Sequence, residues 1–377
     1  MARSFEVEIN PEIIKWARET AGWSIEEVAR KLKISKENYQ KLESGSKNPT
    51  FRQLEILANY FKRPIATFFL PKPPEEPSIA SSFRILPKNK GEFSKGLHLA
   101  IRKAHYYQSI FKELIENLGR ESKPEIKTLS TEDDPKKAAQ DERENSKISF
   151  QTQFKWKNAY EAFNAWRDYI ESKNILVFEF NFPIEDARGF CLIKDPPVIV
   201  INSADNILAR IFTLFHEYAH IILGRSEIYS EEIITDPIVE NWCNIFASEF
   251  LIPEKALKED KDFLNFISSK KLEPKVLENL SKKFKVSQKA ILTKLKILNL
   301  IEQEDYERES ALIEKTKFPQ KGGFLSPEEK CIREKGKRFI SLVLESNEKG
   351  IITTQDVLEY LSIKLKHLDK VQELIAK

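Results

Sequence analysis

Thr213-Leu-Phe-His-Glu-Tyr-Ala-His-Ile-Ile-Leu-Gly224 sets a His-Glu-x-x-His pattern inside an apolar run that Gly224 closes. The run from about Ala204 to Leu223 predicts a buried helix. Residues four apart share a helix face, so His216 and His220 present two imidazoles to one point. Glu217 follows the first of them, where a carboxylate can take a proton from an attacking water. Ile211, Leu214, Phe215, Ala219, Ile222 and Leu223 are read as burying the remaining faces. The chain has five histidines, and two fall on this helix. Burying two imidazoles and a carboxylate without a metal or other partners is costly. By chance alone the pattern arises in on the order of one chain in a hundred of this length.

A catalytic zinc site needs a third protein ligand and an open position. Downstream, Pro237 opens a second helix that reads Glu240-Asn-Trp-Cys-Asn-Ile-Phe-Ala to about Leu251. Glu240 and Asn244 lie one turn apart on one face. Glu240 can ligate zinc, and Asn244 can accept an imidazole N–H behind the metal. Glu231, Glu232 and Asp236 compete with Glu240, and Cys243 is read as packing rather than ligating. Glu240 also has an ordinary reading, an acid in a first helical turn. Tyr229 is a guess for the donor that stabilises the oxyanion; Tyr218 points off the metal face.

Upstream of these helices stand three β-rich runs, Ile175–Phe180, Gly189–Ile193 and Val198–Ile201, after a helix from Tyr160 to Ser172. Residues 95–118 repeat apolar positions at helical spacing. Residues 120–149 are mostly Lys, Glu, Asp, Ser and Gln with no apolar period, which predicts an exposed linker open to peptidases. Beyond Pro253 the pattern is helical, and Gly322-Gly323 marks a boundary before a short helical end.

The N-terminal part reads differently. Pro11 suits a first helical position, and Ser24-Ile-Glu-Glu27 is a capping box. Ser35 and Thr50 can cap two further helices, with a tight turn at Lys33-Ile34. This is helix-turn-helix spacing, with the third helix as the groove reader. Lys36, Glu37, Asn38 and Gln40 would face bases, and Lys41, Ser46, Lys47 and Arg52 phosphates. Glu37 weakens an electrostatic grip on DNA, so a protein-binding module of the same fold is the competing reading.

Composition restricts the classes. Lys plus Arg total 61 against 58 Asp plus Glu, a net charge of +3, so any DNA site depends on local charge. The three cysteines are few, odd in number and scattered, which gives no disulfide framework. The N-terminus lacks an apolar signal stretch, and no run reaches the ~20 residues of a membrane helix. A cytoplasmic location is expected.

Two resemblances are specific. Ser24–Ala29, then Lys41-Leu-Glu-Ser-Gly-Ser-Lys-Asn-Pro-Thr50 and Leu54–Ala58, resemble the Cro/repressor-type (Xre-like) helix-turn-helix family. The family's early glutamine is Glu26 or Glu27 here. Arg188-Gly-Phe, Val198–Asn202, Thr213–Gly224 and Glu240 to Pro253 resemble the ImmA/IrrE metallopeptidases over about residues 155–300. The resemblance implies a gluzincin-like domain with zinc on His216, His220 and Glu240 and Glu217 as general base. It also implies cleavage of helix-turn-helix repressors. The stretch from Leu277 to Leu295 resembles the family's helix-turn-helix-like region, for which a structural role is expected.

The expected fold class is α+β, mainly α with a small sheet. The expected parts are a helix-turn-helix domain over 1–70, a helical segment and charged linker over 71–150 and a zinc peptidase domain over 151–255. A helix-turn-helix-like region over 256–320 and a small helical segment over 321–377 complete the chain. The expected partners are double-stranded DNA, bound as a dimer, and a protein substrate, a repressor or antitoxin-like chain. A regulator of prophage or toxin–antitoxin type, with a zinc domain that senses a partner without turnover, is the competing reading. Intact Glu217 favours the enzyme.

Overall fold

The computed structural model describes residues 5–74, 94–224, 236–315 and 325–376. The chain divides into two compact units, with the change-over inside one long helix at Lys103/Ala104.

The first unit contains α1 (Pro11–Thr20), α2 (Ile25–Leu32), α3 (Lys36–Glu43), α4 (Phe51–Phe61), a 3-10 turn (Ile65–Phe69) and the start of α5 (Lys95–Asn117). The expected caps form. Ser24, Ser35 and Thr50 each accept a backbone N–H in the first turn of their helices, with reciprocal capping boxes at Ser24 and Thr50, and Asn10 caps α1 in the same way. Each such cap contributes about 1 kcal/mol. Between α2 and α3 the chain turns at Lys33, held at φ 57° and ψ 42°. One core joins the helices, including Ile13, Ala17, Val28, Tyr39, Leu42, Leu54 and Phe61. Arg18 grips the Glu43 carboxylate with two bonds, of 2.6 and 3.2 Å, and fastens α1 to α3.

The second unit is built on a three-stranded sheet of order β1-β3-β2, from β1 (Leu176–Phe180), β2 (Gly189–Leu192) and β3 (Val198–Asn202). β1 runs parallel to β3, and β2 runs antiparallel to it with Cys191 opposite Ile199. All residues of the three strands are buried. Both faces are therefore covered, which explains apolar runs without alternation. Before the sheet come α6 (Pro135–Asn145), α7 (Phe150–Lys155) and α8 (Ala159–Ser172). After it come α9 (Ile207–Ile222) and α10 (Pro237–Leu251), the two site helices, then α11 (Glu254–Lys258) and α12 (Lys261–Ser269). The chain continues through α13 (Pro274–Phe284), α14 (Gln288–Ile297) and α15 (Gln303–Lys315) to α16 (Pro327–Glu348), α17 (Thr354–Leu361) and α18 (Leu368–Ile375).

Two glycines make this packing possible. A Cβ on Gly189 would meet the Thr213 side chain of α9 at 2.6 Å and the Val200 carbonyl oxygen at 2.9 Å. Gly189 therefore lets β2 lie close against the site helix. Gly336 breaks the helical path of α16 at φ 76° and ψ 157°, and a side chain there would collide with Arg167 and Glu171. The break lets the Arg338 N–H donate to Glu171 (3.1 Å) and the Arg333 carbonyl accept from Arg167 (2.7 Å). Beyond the break, Phe339 packs on Phe178 of β1.

Two expectations are corrected. Residues 120–149 are not an exposed linker. Leu129 N–H donates to the Ile222 carbonyl at the end of α9, and Glu125 N–H to the Lys173 carbonyl, both at 2.9 Å. Trp242 Nε1–H donates to the Asp133 carbonyl (2.8 Å), and Ala139 is fully buried. Glu142 accepts hydrogen bonds from the hydroxyls of Tyr218 (2.6 Å) and Tyr169. The segment anchors through backbone groups and long polar side chains, which leave no apolar period. One apolar cluster also runs from Ala139 through Phe215 and Phe250 to Leu295, across the expected divisions at 150 and 255. Gly322-Gly323 lies outside the described residues.

Candidate metal centre

The site rests on the two helices that the sequence marked. Asn206 caps α9 by accepting from Leu208 N–H. Arg210 then fixes this end of the helix, donating to Glu179 of β1 (2.8 Å) and to the Asp205 (2.8 Å) and Ser203 carbonyls. Arg188 binds Asp205 at 2.6 Å. The Asn202 amide donates to the Phe182 and Ala187 carbonyls, each at 3.0 Å, and so fixes the loop before β2. Asp236 caps α10, accepting from Ile238 N–H at 2.8 Å, and so has a local structural task.

Across these helices three side chains converge. The Nε2 atoms of His216 and His220 are 3.2 Å apart. Glu240 oxygens lie 3.4 Å from His216 Nε2 and 3.2 Å from His220 Nε2. Ligand atoms of a tetrahedral zinc, at about 2.0–2.1 Å from the metal, sit about 3.3 Å from one another. The spacing and the N, N, O donor set fit that ion. His216 Nδ1 meets Asn244 Oδ1 at 3.1 Å, the bond expected of Asn244. With the proton on Nδ1 as donor, the Nε2 lone pair faces the centre.

Burial gives the site a direction. The His216 side chain is fully buried, whereas His220 and Glu240 are 17% and 19% exposed. The centre therefore opens to solvent on the His220 and Glu240 side. Burial works to lower the His220 pKa, but hydrogen bonding with Cys243 and Glu240 and the nearby acids outweigh it and raise the imidazole well above its ordinary value.

Sequence reasoning placed Cys243 near this centre as a packing residue but missed Cys191. Cys191 of β2 is buried; burial first, and then the charge of nearby Glu217, push its thiol pKa well up. Cys243 is fully buried beside His220. Helical periodicity places Cys243, but no sequence spacing links Cys191 to Glu217, 26 residues later. Tyr218 points away from the metal, with its hydroxyl on Glu142, as expected. Tyr229, Glu231 and Glu232 lie outside the described residues.

The expected DNA contacts are individually exposed in the first unit. Lys36, Glu37, Asn38, Gln40, Lys41, Ser46, Lys47 and Arg52 are all exposed, while Tyr39 and Leu42 turn inward. Lys36 forms an ion pair with Glu26 of α2, so part of its charge is already engaged.

A family model described as the IrrE N-terminal-like domain, of peptidase family M78, matches residues 170–296. A helix-turn-helix family model matches residues 14–68. The chain thus carries a helix-turn-helix domain at residues 14–68 and an IrrE-like domain at residues 170–296. No curated protein matches it significantly. The IrrE-like match takes in α9, α10 and all three converging side chains, and reaches into α14. Among the described residues, no helix is long and apolar enough to cross a membrane.

Proposed function

We propose that this fusion is a DNA-binding regulator whose IrrE-like domain is a zinc-dependent endopeptidase, acting on a helix-turn-helix repressor or antitoxin-like protein. The observation that carries the reading is the convergence of His216, His220 and Glu240 within 3.2–3.4 Å, with Glu217 next to the first ligand. His216, His220 and Glu240 hold the metal. Zinc, when bound, supplies Lewis-acid polarisation to water and to the scissile carbonyl. Asn244 keeps the His216 ring oriented. Glu217 takes a proton from the attacking water and returns it to the leaving amine nitrogen. Substrate enters from the exposed His220 and Glu240 side.

The first unit supplies the address. Asn38 and Gln40 suit adenine edges, and Lys41, Ser46, Lys47 and Arg52 suit phosphates. Lys36 and Glu37 lie at the start of the reading helix, and a dimer would read two half-sites.

Glu217→Gln tests the enzyme. The amide cannot accept the water's proton, so cleavage of a repressor encoded beside this gene should fall by about 10²–10⁴. Zinc content should stay near one per chain by elemental analysis. His220→Ala should lose both metal and cleavage. If Glu217→Gln cleaves at the wild-type rate with its zinc retained, the mechanism is wrong.

A further inference from the structure

A second cavity, of about 530 Å³, lies where α6 meets α7 and the C-terminal end of α10. It shares no lining residue with the metal centre. Arg143, Ile148, Phe150 and Glu249 line it, and the exposed Lys147 and Lys255 also border it.

Its charge is unbalanced. Arg143 is 9% exposed. Its guanidinium donates to the Ile148 carbonyl (3.1 Å), the Phe250 carbonyl (2.9 Å) and Gln153 Oε1 (2.7 Å). All three acceptors are neutral, and a guanidinium has further N–H groups to give. Among the described residues no carboxylate forms an ion pair with Arg143. Burial pushes its pKa down to about 10, with no acid acting against it.

Glu249 does not supply the missing charge. It is held in a buried ion pair with Lys294 and accepts from the Gln140 amide at 3.1 Å. Lys147 and Lys255 have no ion-pair partner among the described residues either. Once Lys294 and Glu249 cancel, Arg143, Lys147 and Lys255 stand against Glu144 alone.

Capping α10 does not require a cation at Arg143. Gln153 does the same work next door with an uncharged amide, donating to the Leu251 carbonyl (3.0 Å) and the Phe284 carbonyl (2.6 Å). The guanidinium also lies over the Trp166 ring, 4.7 Å from its centroid, and 5.4 Å from that of Phe250, which offsets part of the cost of burying it but leaves its full positive charge without a counter-anion. The volume falls in the range of small-molecule sites, about 300–1,000 Å³.

We propose that this cavity binds a small organic anion, an acid group on an apolar body. Arg143, Lys147 and Lys255 neutralise the acid group, and Ile148 and Phe150 pack against the body. The acid group is a phosphate or a carboxylate, which the same cations serve.

The test is calorimetric titration of the full chain with phenyl phosphate and with benzoate. Inorganic phosphate and phenol serve as the acid group alone and the ring alone. At least one of the two aromatic anions should bind, and more tightly than either control. The Lys147→Glu/Lys255→Glu double variant changes only exposed side chains, so its thermal melt should match wild type. Its binding should weaken about tenfold or more. Absence of binding by both aromatic anions at millimolar concentration would overturn the site, as would equal binding by the double variant. Inorganic phosphate or phenol binding as tightly as the better aromatic anion would overturn the organic-anion assignment. None of these readings depends on peptidase activity.

Discussion

Two helix-turn-helix corners occur in this chain, and they share a turn but not a surface. In the first, Lys33 sits at φ 57° and ψ 42°, Ile34 follows, and Ser35 caps α3. In the second, Lys285 sits at φ 56° and ψ 42°, Val286 follows, and Ser287 caps α14. The serine oxygens accept from Asn38 N–H at 3.2 Å and Ala290 N–H at 3.1 Å. Beyond the cap the helices part. α3 buries Tyr39 and Leu42, and α14 buries Ala290, Ile291, Leu292, Lys294 and Leu295. Counting from the caps, Ala290 and Leu292 stand where α3 has Asn38 and Gln40. The positions that could read bases in the first corner are core in the second. A local turn motif thus fixes how two helices meet; burial of the outer face decides whether the second helix can touch DNA.

The sharpest way to break the contrast is to put the same kind of charge on both helices. Leu292→Asp buries an unpaired carboxylate and should cost more than about 3 kcal/mol, seen as a lower denaturation midpoint or insoluble protein. Gln40→Asp on the exposed face should shift stability by less than about 0.5 kcal/mol. Similar losses at both positions would mean that α3 is not a free surface.

Metal removal should separate the units next. A ligand at a hundred times its dissociation constant stabilises the fold it binds by about 2.7 kcal/mol. Chelation should therefore lower the melting transition of the unit containing α14 and leave that of the unit containing α3 in place, as read by calorimetry. A transition that does not move on chelation would count against a metal bound by His216, His220 and Glu240.

The smallest effects concern DNA. Gln40→Ala should relax preference at one base position, at a cost of about 1–3 kcal/mol in discrimination. Lys41→Ala should weaken binding to all sequences and reduce the salt slope by about 0.9. Thr293→Ala, at the corresponding position of α14, should change neither. Failure to select any sequence from a random duplex library would favour a protein-binding role for the first unit.

Much of this was legible in the sequence because the signals were local. The capping boxes at Ser24 and Thr50, the spacing of His216 and His220, and the pairing of Glu240 with Asn244 each lie within one or two helical turns. The strands were legible as apolar runs, since they are buried on both faces. Residues 120–149 were misread because what anchors them is distant. Asp133 meets Trp242, Gln140 meets Glu249, and Glu142 meets Tyr218. Such bonds cross about a hundred residues of chain and leave no period behind.

By itself, then, the sequence determined the helices, their caps and the donor types at one helix face, since backbone geometry brings residues four apart together in any context. Only the tertiary structure decided which faces were covered. It brought Glu240 across to the histidines, set Cys191 beside Glu217 and buried the outer side of α14. It also enclosed Arg143 without a carboxylate. These pairings depend on how sheet and helices pack over long separations, and a linear pattern carries no register for that.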